Sequence, residues 1–286
     1  MEIPAKGTKI LAPAKVNLFL EILGKRADGY HEIRTLMQPI SLFDTIWVFA
    51  GPGETTLRCP GYPELENNDN LIIRAVHLLE RETARPLNVF IRLIKRIPLG
   101  GGLGGGSSDA AAVLSGLNRL LGNLVDPERL RNLAARLGSD VPFFLNKGTA
   151  LAFGRGEHIE PWPSFPSWWY VLIFPGFSIS TPWAYSQVKI PLTQNKKTIN
   201  IKNLLEEGKI PGKGRFGNDL EEFVLPSFPT LGKIKQALQE QGCFQTLMSG
   251  SGSTVFGIWE DKQKAVDAFK RLKRQGLGKV FVARGL

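Results

Sequence analysis

The segment Pro98 to Ser108, PLGGGLGGGSS, constrains the fold more than any other stretch of this 286-residue chain: six of its eleven residues are glycine. Before it, Leu87 to Ile94 predicts a strand, with Val89, Ile91 and Leu93 on one face and Phe90, Arg92 and Ile94 on the other. After it, Ser107 to Leu120 is rich in alanine and leucine and predicts a helix. A flexible linker would have polar flanks; this loop is pinned between an apolar strand and an apolar helix. Glycines let successive backbone N–H groups turn toward one point with no Cβ in the way. The helix adds its free N–H groups and the positive end of its dipole at the same point. Ser107 and Ser108 supply hydroxyls suited to phosphate oxygens or a magnesium ion, and Asp109 puts a carboxylate at the helix start. The segment is therefore expected to cradle phosphate. It is not a Walker loop, since it contains no lysine. Nor is it a dinucleotide fingerprint, which belongs to an early strand–loop–helix with an acid on the next strand.

Around this loop the chain predicts a mixed architecture. Strand-like segments fall at Lys15 to Leu23, Thr45 to Ala50 and Thr55 to Cys59. Helical spacing covers Asn70 to Arg81 and Pro127 to Leu137, the second with Asp126 as N-cap and Pro127 at its first position. Pro161 to Trp169 holds three prolines and three tryptophans and reads as a hinge. A strand at Tyr170 to Phe174 follows, and then a polar, basic excursion from Gln187 to Gly217 with a short helix near Leu204. The end alternates: helix Thr230 to Gln241, strands Phe244 to Met248 and Thr254 to Trp259, helix Lys262 to Arg274, strand Lys279 to Ala283. Strand pairs without intervening helices indicate an α+β protein with antiparallel sheets. The final order is compatible with a ferredoxin-like half.

Composition narrows the class. Apolar residues make up 43% of the chain, enough for a real core. No apolar run approaches the ~20 residues of a membrane-spanning helix, and the start does not read as a secretory signal. A cytoplasmic location with no membrane partner is expected. Cys59 and Cys243, the two cysteines, exclude a disulfide framework and a zinc site; no residue is assigned as a metal ligand. The charge of +10 raises nucleic acid as a partner. The basic residues, however, gather in the Lys189 to Arg215 excursion and on one face of the Lys262 to Arg274 helix, and no nucleic-acid-binding motif accompanies them. No nucleic-acid partner is expected. Oligomeric state is not legible.

PLGGGLGGGSS, flanked by Lys95-Arg96-Ile97, resembles the second signature of the galactokinase, homoserine kinase, mevalonate kinase and phosphomevalonate kinase superfamily. Three other segments resemble one branch of it, which acts on a methylerythritol carrying a cytidine diphosphate: APAKVNLFLEILGKRADGYHEIRTLMQ (Ala12 to Gln38), GSDVPFFL (Gly138 to Leu145) and MSGSGSTVFG (Met248 to Gly257). Asn68 to Leu71 and Asn218 to Glu221 agree more weakly. The resemblance implies a two-domain small-molecule kinase fold. Residues 1–163 would form a domain like the second domain of ribosomal protein S5, binding ATP and substrate, and residues 164–286 a ferredoxin-like domain. It implies ATP with Mg²⁺, phosphorylation of the erythritol 2-hydroxyl, and a place in the non-mevalonate route to isoprenoid precursors.

Roles follow residue by residue. Lys15, a lysine inside an apolar strand, is costly unless paired. Asp140 precedes Pro142 and an apolar run, where a carboxylate would cap a helix. The resemblance makes these two the catalytic pair, with Asp140 accepting the hydroxyl proton. It assigns nucleotide contacts to Asn70, Lys95, Pro98, Leu99, Gly100, Gly101, Gly102, Leu103, Gly104, Gly105, Gly106, Ser107 and Ser108. It assigns substrate contacts to Asn17, Tyr30, His31, Thr181 and Tyr185, with Tyr30 stacking on the cytosine and His31 bonding its edge. A kinase of the same superfamily acting on another alcohol is the nearest alternative; Tyr30 and His31 distinguish the two.

Overall fold

The structure, a computed structural model, describes residues 6–51, 53–162, 165–189 and 216–286. The predicted short helix near Leu204 and all but the edges of its basic excursion lie outside the described residues. The chain forms two compact units, each built from separate segments. Met1–Ala14, Phe43–Ile97 and Gly104–Lys147 make the first; Lys15–Leu42, Pro98–Leu103 and Gly148–Leu286 make the second. Two long strands, β1 (Thr8–Lys25) and β2 (His31–Ala50), contribute to both.

In the first unit, β3 (Thr56–Arg58) runs parallel to β4 (Val89–Ile94), and the end of β2 runs antiparallel to β4, with Thr45 opposite Ile94. Val89, Ile91 and Leu93 are buried and Arg92 is exposed, as the alternation predicts. Four helices accompany these strands: α1 (Leu71–Thr83), α2 (Gly105–Leu120), α3 (Pro127–Leu137) and α4 (Val141–Leu145). Asn70 caps α1, its Oδ1 accepting from Ile72 N at 2.9 Å. Asp126 caps α3, accepting from Arg129 N at 2.9 Å. Ile46, Val48, Ile72, Leu79, Ile91, Leu114 and Leu117 share one core. Each fully buried side chain of this size contributes roughly 1.5–3 kcal/mol, so the core fixes where α2 begins.

In the second unit, β5 (Ala150–Gly154) pairs antiparallel with the start of β2, Ile33 opposite Gly154, and with β6 (His158–Pro161). The rest reads β7 (Trp169–Phe174), helix Pro229–Glu240, β9 (Gln245–Met248), β10 (Val255–Trp259), helix Lys262–Leu272, β11 (Lys279–Arg284). The sheet order is β11-β7-β10-β9 with every neighbour antiparallel, the ferredoxin-like arrangement expected. Between these elements, β8 (Gly217–Asn218) lies parallel to β1 at Phe19 and Leu20.

Two differences from the sequence reading have physical causes. First, α2 starts at Gly105, two residues into the glycine run, because Gly104 takes a left-handed conformation at the N-cap and Gly105 and Gly106 turn helical behind it. Second, β2 extends back to His31, and β5 and β6 were not anticipated. The Leu36–Ile40 stretch of β2 is buried without alternation and carries Pro39, so no period of two is visible. Both cysteines are free thiols. No helix among the described residues is long and apolar enough to cross a membrane.

Leu117→Ala should lower the unfolding free energy by about 2–5 kcal/mol in denaturant titration. A loss well under about 1 kcal/mol would contradict the core assignment.

Candidate active site

Two glycine motifs meet in the second unit. Gly101 O accepts from Thr254 N at 3.2 Å, and Gly102 O accepts from Ser249 Oγ at 2.9 Å. The approach is close enough to exclude side chains. Gly102 has φ +75°, and a Cβ there would run into Ser249 O and stand 2.8 Å from Gly252 O. At Gly250, with φ +55°, a Cβ would stand 3.3 Å from Asn17 Oδ1 and 3.4 Å from Lys15 Nζ. The loop Ser249–Gly252 therefore lies directly against Lys15 and Asn17. Leu103 O accepts from Lys15 N at 3.0 Å, which ties the first glycine loop to β1 as well.

Lys15 is 4% exposed and sits at the head of a directed hydrogen-bond chain. Its ammonium donates to Asn17 Oδ1 at 2.6 Å, Asn17 Nδ2 donates to Thr35 Oγ1 at 2.8 Å, and Thr35 Oγ1 donates to Phe19 O at 2.6 Å. The backbone carbonyl only accepts, so the Thr35 proton is committed to it. Thr35 must then accept from the Asn17 amide, and the Asn17 oxygen must face the ammonium. One hydroxyl thus sets the polarity of the whole chain.

The predicted base-reading residues also gather in this unit. The His31 and Tyr185 rings lie 5.3 Å apart at 31°. Tyr30 is 56% exposed, with the Arg155 guanidinium 4.9 Å over its ring. Asp28 fixes the turn before it, accepting from Tyr30 N at 3.1 Å. Burial, with the Lys25 ammonium, holds His31 below its ordinary value, so the neutral imidazole prevails at pH 7. Thr181 begins the helix Thr181–Ser186 and shares a 2.9 Å hydrogen bond with Ser251 Oγ.

In the first unit, α2 presents its N-terminus with no side-chain cap. Its first backbone N–H groups have no intrahelical acceptor. Ser108 Oγ is buried without a partner, as is Asp109 Oδ1. Lys95, whose side chain is 2% exposed, bonds both Asp44 and Asp109, the latter at 2.9 Å. Asp44 Oδ1 also accepts from Arg96 N and Ile97 N, at 2.5 and 2.9 Å. Burial pushes the Asp109 carboxyl up to about 7 against the pull of Lys95, and the second carboxylate adds to the rise. Burial alone would lower Lys95, but Asp109 and Asp44 together hold its ammonium above the usual value. Asn70 has its amide engaged at both ends, by Ile72 N and Leu65 O. Asp140 stands at the N-cap position of α4 yet makes no side-chain cap bond, so capping does not account for it.

Sequence reasoning passed over Thr35, Asp44 and Arg155. Asp44 had a visible signal, an acid inside an apolar strand. Thr35 and Arg155 had none of their own.

Residues 70–148 match the model of the GHMP kinases N terminal domain, and residues 201–277 that of the GHMP kinases C terminal. The homoserine kinase of Cytophaga hutchinsonii, at 18% identity, shares the fold with a TM-score of 0.74 over 99% of this chain and 96% of its own. The fold and the paired glycine motifs are those of a GHMP kinase. A 4-diphosphocytidyl-2-C-methyl-D-erythritol kinase from Syntrophus aciditrophicus is 42% identical over 97% of this chain and 99% of its own. A crystal structure of a 4-(cytidine 5'-diphospho)-2C-methyl-D-erythritol kinase is 37% identical, with a TM-score of 0.82 over 97% and 99% of the two chains. The chain belongs to this kinase family.

Two measurements test the geometry. Thr35→Val should lower turnover by roughly tenfold, the equivalent of about 1.4 kcal/mol, while Thr35→Ser stays near wild type; equal rates for all three proteins would refute the directed chain. Asp109, raised in the folded state, binds its proton more tightly there than in the unfolded chain. Its contribution to stability is full below about pH 4, its unfolded value, and is lost as pH rises through about 7. Urea titrations should show wild type losing stability relative to Asp109→Asn across that window. A pH-independent difference would refute the raised value.

Proposed function

We propose that the chain transfers the γ-phosphoryl group of ATP, carried as its magnesium complex, to the 2-hydroxyl of 4-(cytidine 5'-diphospho)-2-C-methyl-D-erythritol. The products are ADP and the 2-phosphate, an intermediate on the non-mevalonate route to isoprenoid precursors. The observation that carries the reading is the buried Lys15–Asn17 pair against the joined glycine loops. The near-full-length identity with named relatives supports the choice of substrate.

The chemistry needs a proton acceptor and compensation for charge on the transferred group. Asp140 accepts the proton of the attacking hydroxyl. Lys15, its orientation set through Asn17 and Thr35, stabilises the negative charge that builds up as the hydroxyl oxygen attacks. The N–H groups of the glycine loop and of the α2 N-terminus hold the phosphates, with Ser108 Oγ as a further donor. Magnesium on the nucleotide neutralises phosphate charge; among the described residues no group of three His, Cys, Asp or Glu side chains is placed to hold a metal by itself. Tyr30 and Tyr185 stack on the cytosine and His31 bonds its edge, so recognition rests on the base rather than on the alcohol. A location in the cytoplasm suits a route fed by soluble nucleotides.

The test is ADP release with Mg²⁺, ATP and the cytidine substrate, run beside mevalonate, phosphomevalonate and homoserine. Turnover with the cytidine substrate alone is expected. Asp140→Asn should slow it by roughly 10²–10⁴-fold, the usual contribution of a general base, with the circular dichroism spectrum unchanged. Near-normal turnover in that variant would remove Asp140 from the mechanism, and turnover with another alcohol would replace the substrate.

A further inference from the structure

The Ser249–Gly252 loop lies on Lys15 and Asn17, and Ser249 Oγ and Thr254 N tie its motif to the other glycine loop at Gly102 and Gly101 rather than to β1. The link to β1 comes from one side chain outside every motif with an assigned role. Asn218 is buried, and its Nδ2 donates to two loop carbonyls, Met248 O at 2.8 Å and Gly250 O at 2.7 Å. Its Oδ1 accepts from Leu220 N at 3.0 Å, so all the amide's polar atoms are used and the amide has a single orientation. The backbone around it is tied to β1. Gly217 and Asn218 pair with Phe19 and Leu20, Asp219 N donates to Leu20 O at 2.9 Å, and Asp219 Oδ2 accepts from Ile22 N at 3.0 Å. Lys15 and Asn17 stand on that same strand. Asn218 is therefore the link through which β1 sets the height of the loop over its own two functional side chains.

We propose that Asn218 is a positioning residue for phosphoryl transfer, holding the carbonyls of Met248 and Gly250 so that Gly250 packs against the Lys15–Asn17 pair. The proposal rests on the kinase reading above. Two donated hydrogen bonds to a loop whose Gly250 packs on the Lys15–Asn17 pair have a consequence beyond stability. Losing them leaves both carbonyls unpaired in a buried place, and the loop moves off Lys15. A shift of about 1 Å at a reacting centre costs roughly 10²-fold in rate.

The experiment compares wild type with Asn218→Asp and Asn218→Ser. Asn218→Asp keeps the shape but faces both carbonyls with an acceptor, and Asn218→Ser keeps one donor. At pH 8 the expected result is a kcat lower by roughly 10²-fold for Asn218→Asp, a smaller loss for Asn218→Ser, and KM values for both substrates little changed. As pH falls, protonation of the introduced carboxyl returns an O–H donor, and the ratio of its rate to wild type should rise. Hydrogen exchange of the Ser249–Gly252 amides, read without substrate, should quicken in both variants. Wild-type rates in folded variants, a slow Asn218→Asp with no recovery at low pH, or activity lost only in step with unfolding would each overturn the proposal. Absent wild-type turnover with faster loop exchange in the variants would instead strike the choice of substrate and support the placement of Asn218.

Discussion

Close approach of backbone to backbone is the constraint on which the second unit depends. Gly101 and Gly102 offer their carbonyls to Thr254 and Ser249, and Gly250 packs against Lys15 and Asn17. There is no room for a Cβ at Gly102 and only tight room for one at Gly250, and both residues have a positive φ. Glycine removes the steric obstacle but adds conformational entropy to the unfolded chain. The structure offsets that loss with hydrogen bonds to each loop from outside it: Lys15 N to Leu103 O, Ser249 Oγ to Gly102 O, Asn218 Nδ2 to Met248 O and Gly250 O. These ties fix the direction of the backbone N–H groups in both loops.

The same logic governs Lys15. A buried ammonium has to be compensated. Here the first compensation comes from a neutral amide oxygen whose direction is enforced by Thr35 and, behind it, by the Phe19 carbonyl. The amide fixes the direction in which the buried ammonium points. The contrast with Lys95 is instructive. Its ammonium is clasped by two carboxylates, Asp44 and Asp109. The charge of that lysine is matched within the protein, at the start of α2.

Much of this was legible before any coordinates. The strand–loop–helix around PLGGGLGGGSS, the cap at Asp126 and the βαββαβ order of the chain's end all come from local rules, and the structure agrees with each. The resemblance to the kinase superfamily brought forward Lys15, Asn17 and Asp140, and of these Lys15 also stands out by itself as a lysine inside an apolar strand. What escaped is what depends on partners distant in sequence. Asn218 reaches a loop 30 residues on, and Thr35 bonds a residue 18 positions earlier. No period or spacing announces such pairs. The long β2 strand was hidden for the complementary reason: the Leu36–Ile40 stretch is buried throughout and so shows no alternation.

The ion cluster at the entrance to the glycine loop shows how a buried charge imbalance is settled. One ammonium faces two carboxyls in a place closed to water, and a net negative charge there would be costly. The two acids differ in their partners. Asp44 accepts from Lys95 Nζ and from the backbone N–H groups of Arg96 and Ile97, whereas Asp109 has Lys95 on one oxygen and nothing on the other. Burial, with only Lys95 to oppose it, raises the Asp109 carboxyl to about 7. Asp44 grips the two residues before Pro98, where the chain leaves β4 for the loop. The backbone that enters the glycine loop is thus fixed by an acid outside it, accepting from Arg96 N and Ile97 N.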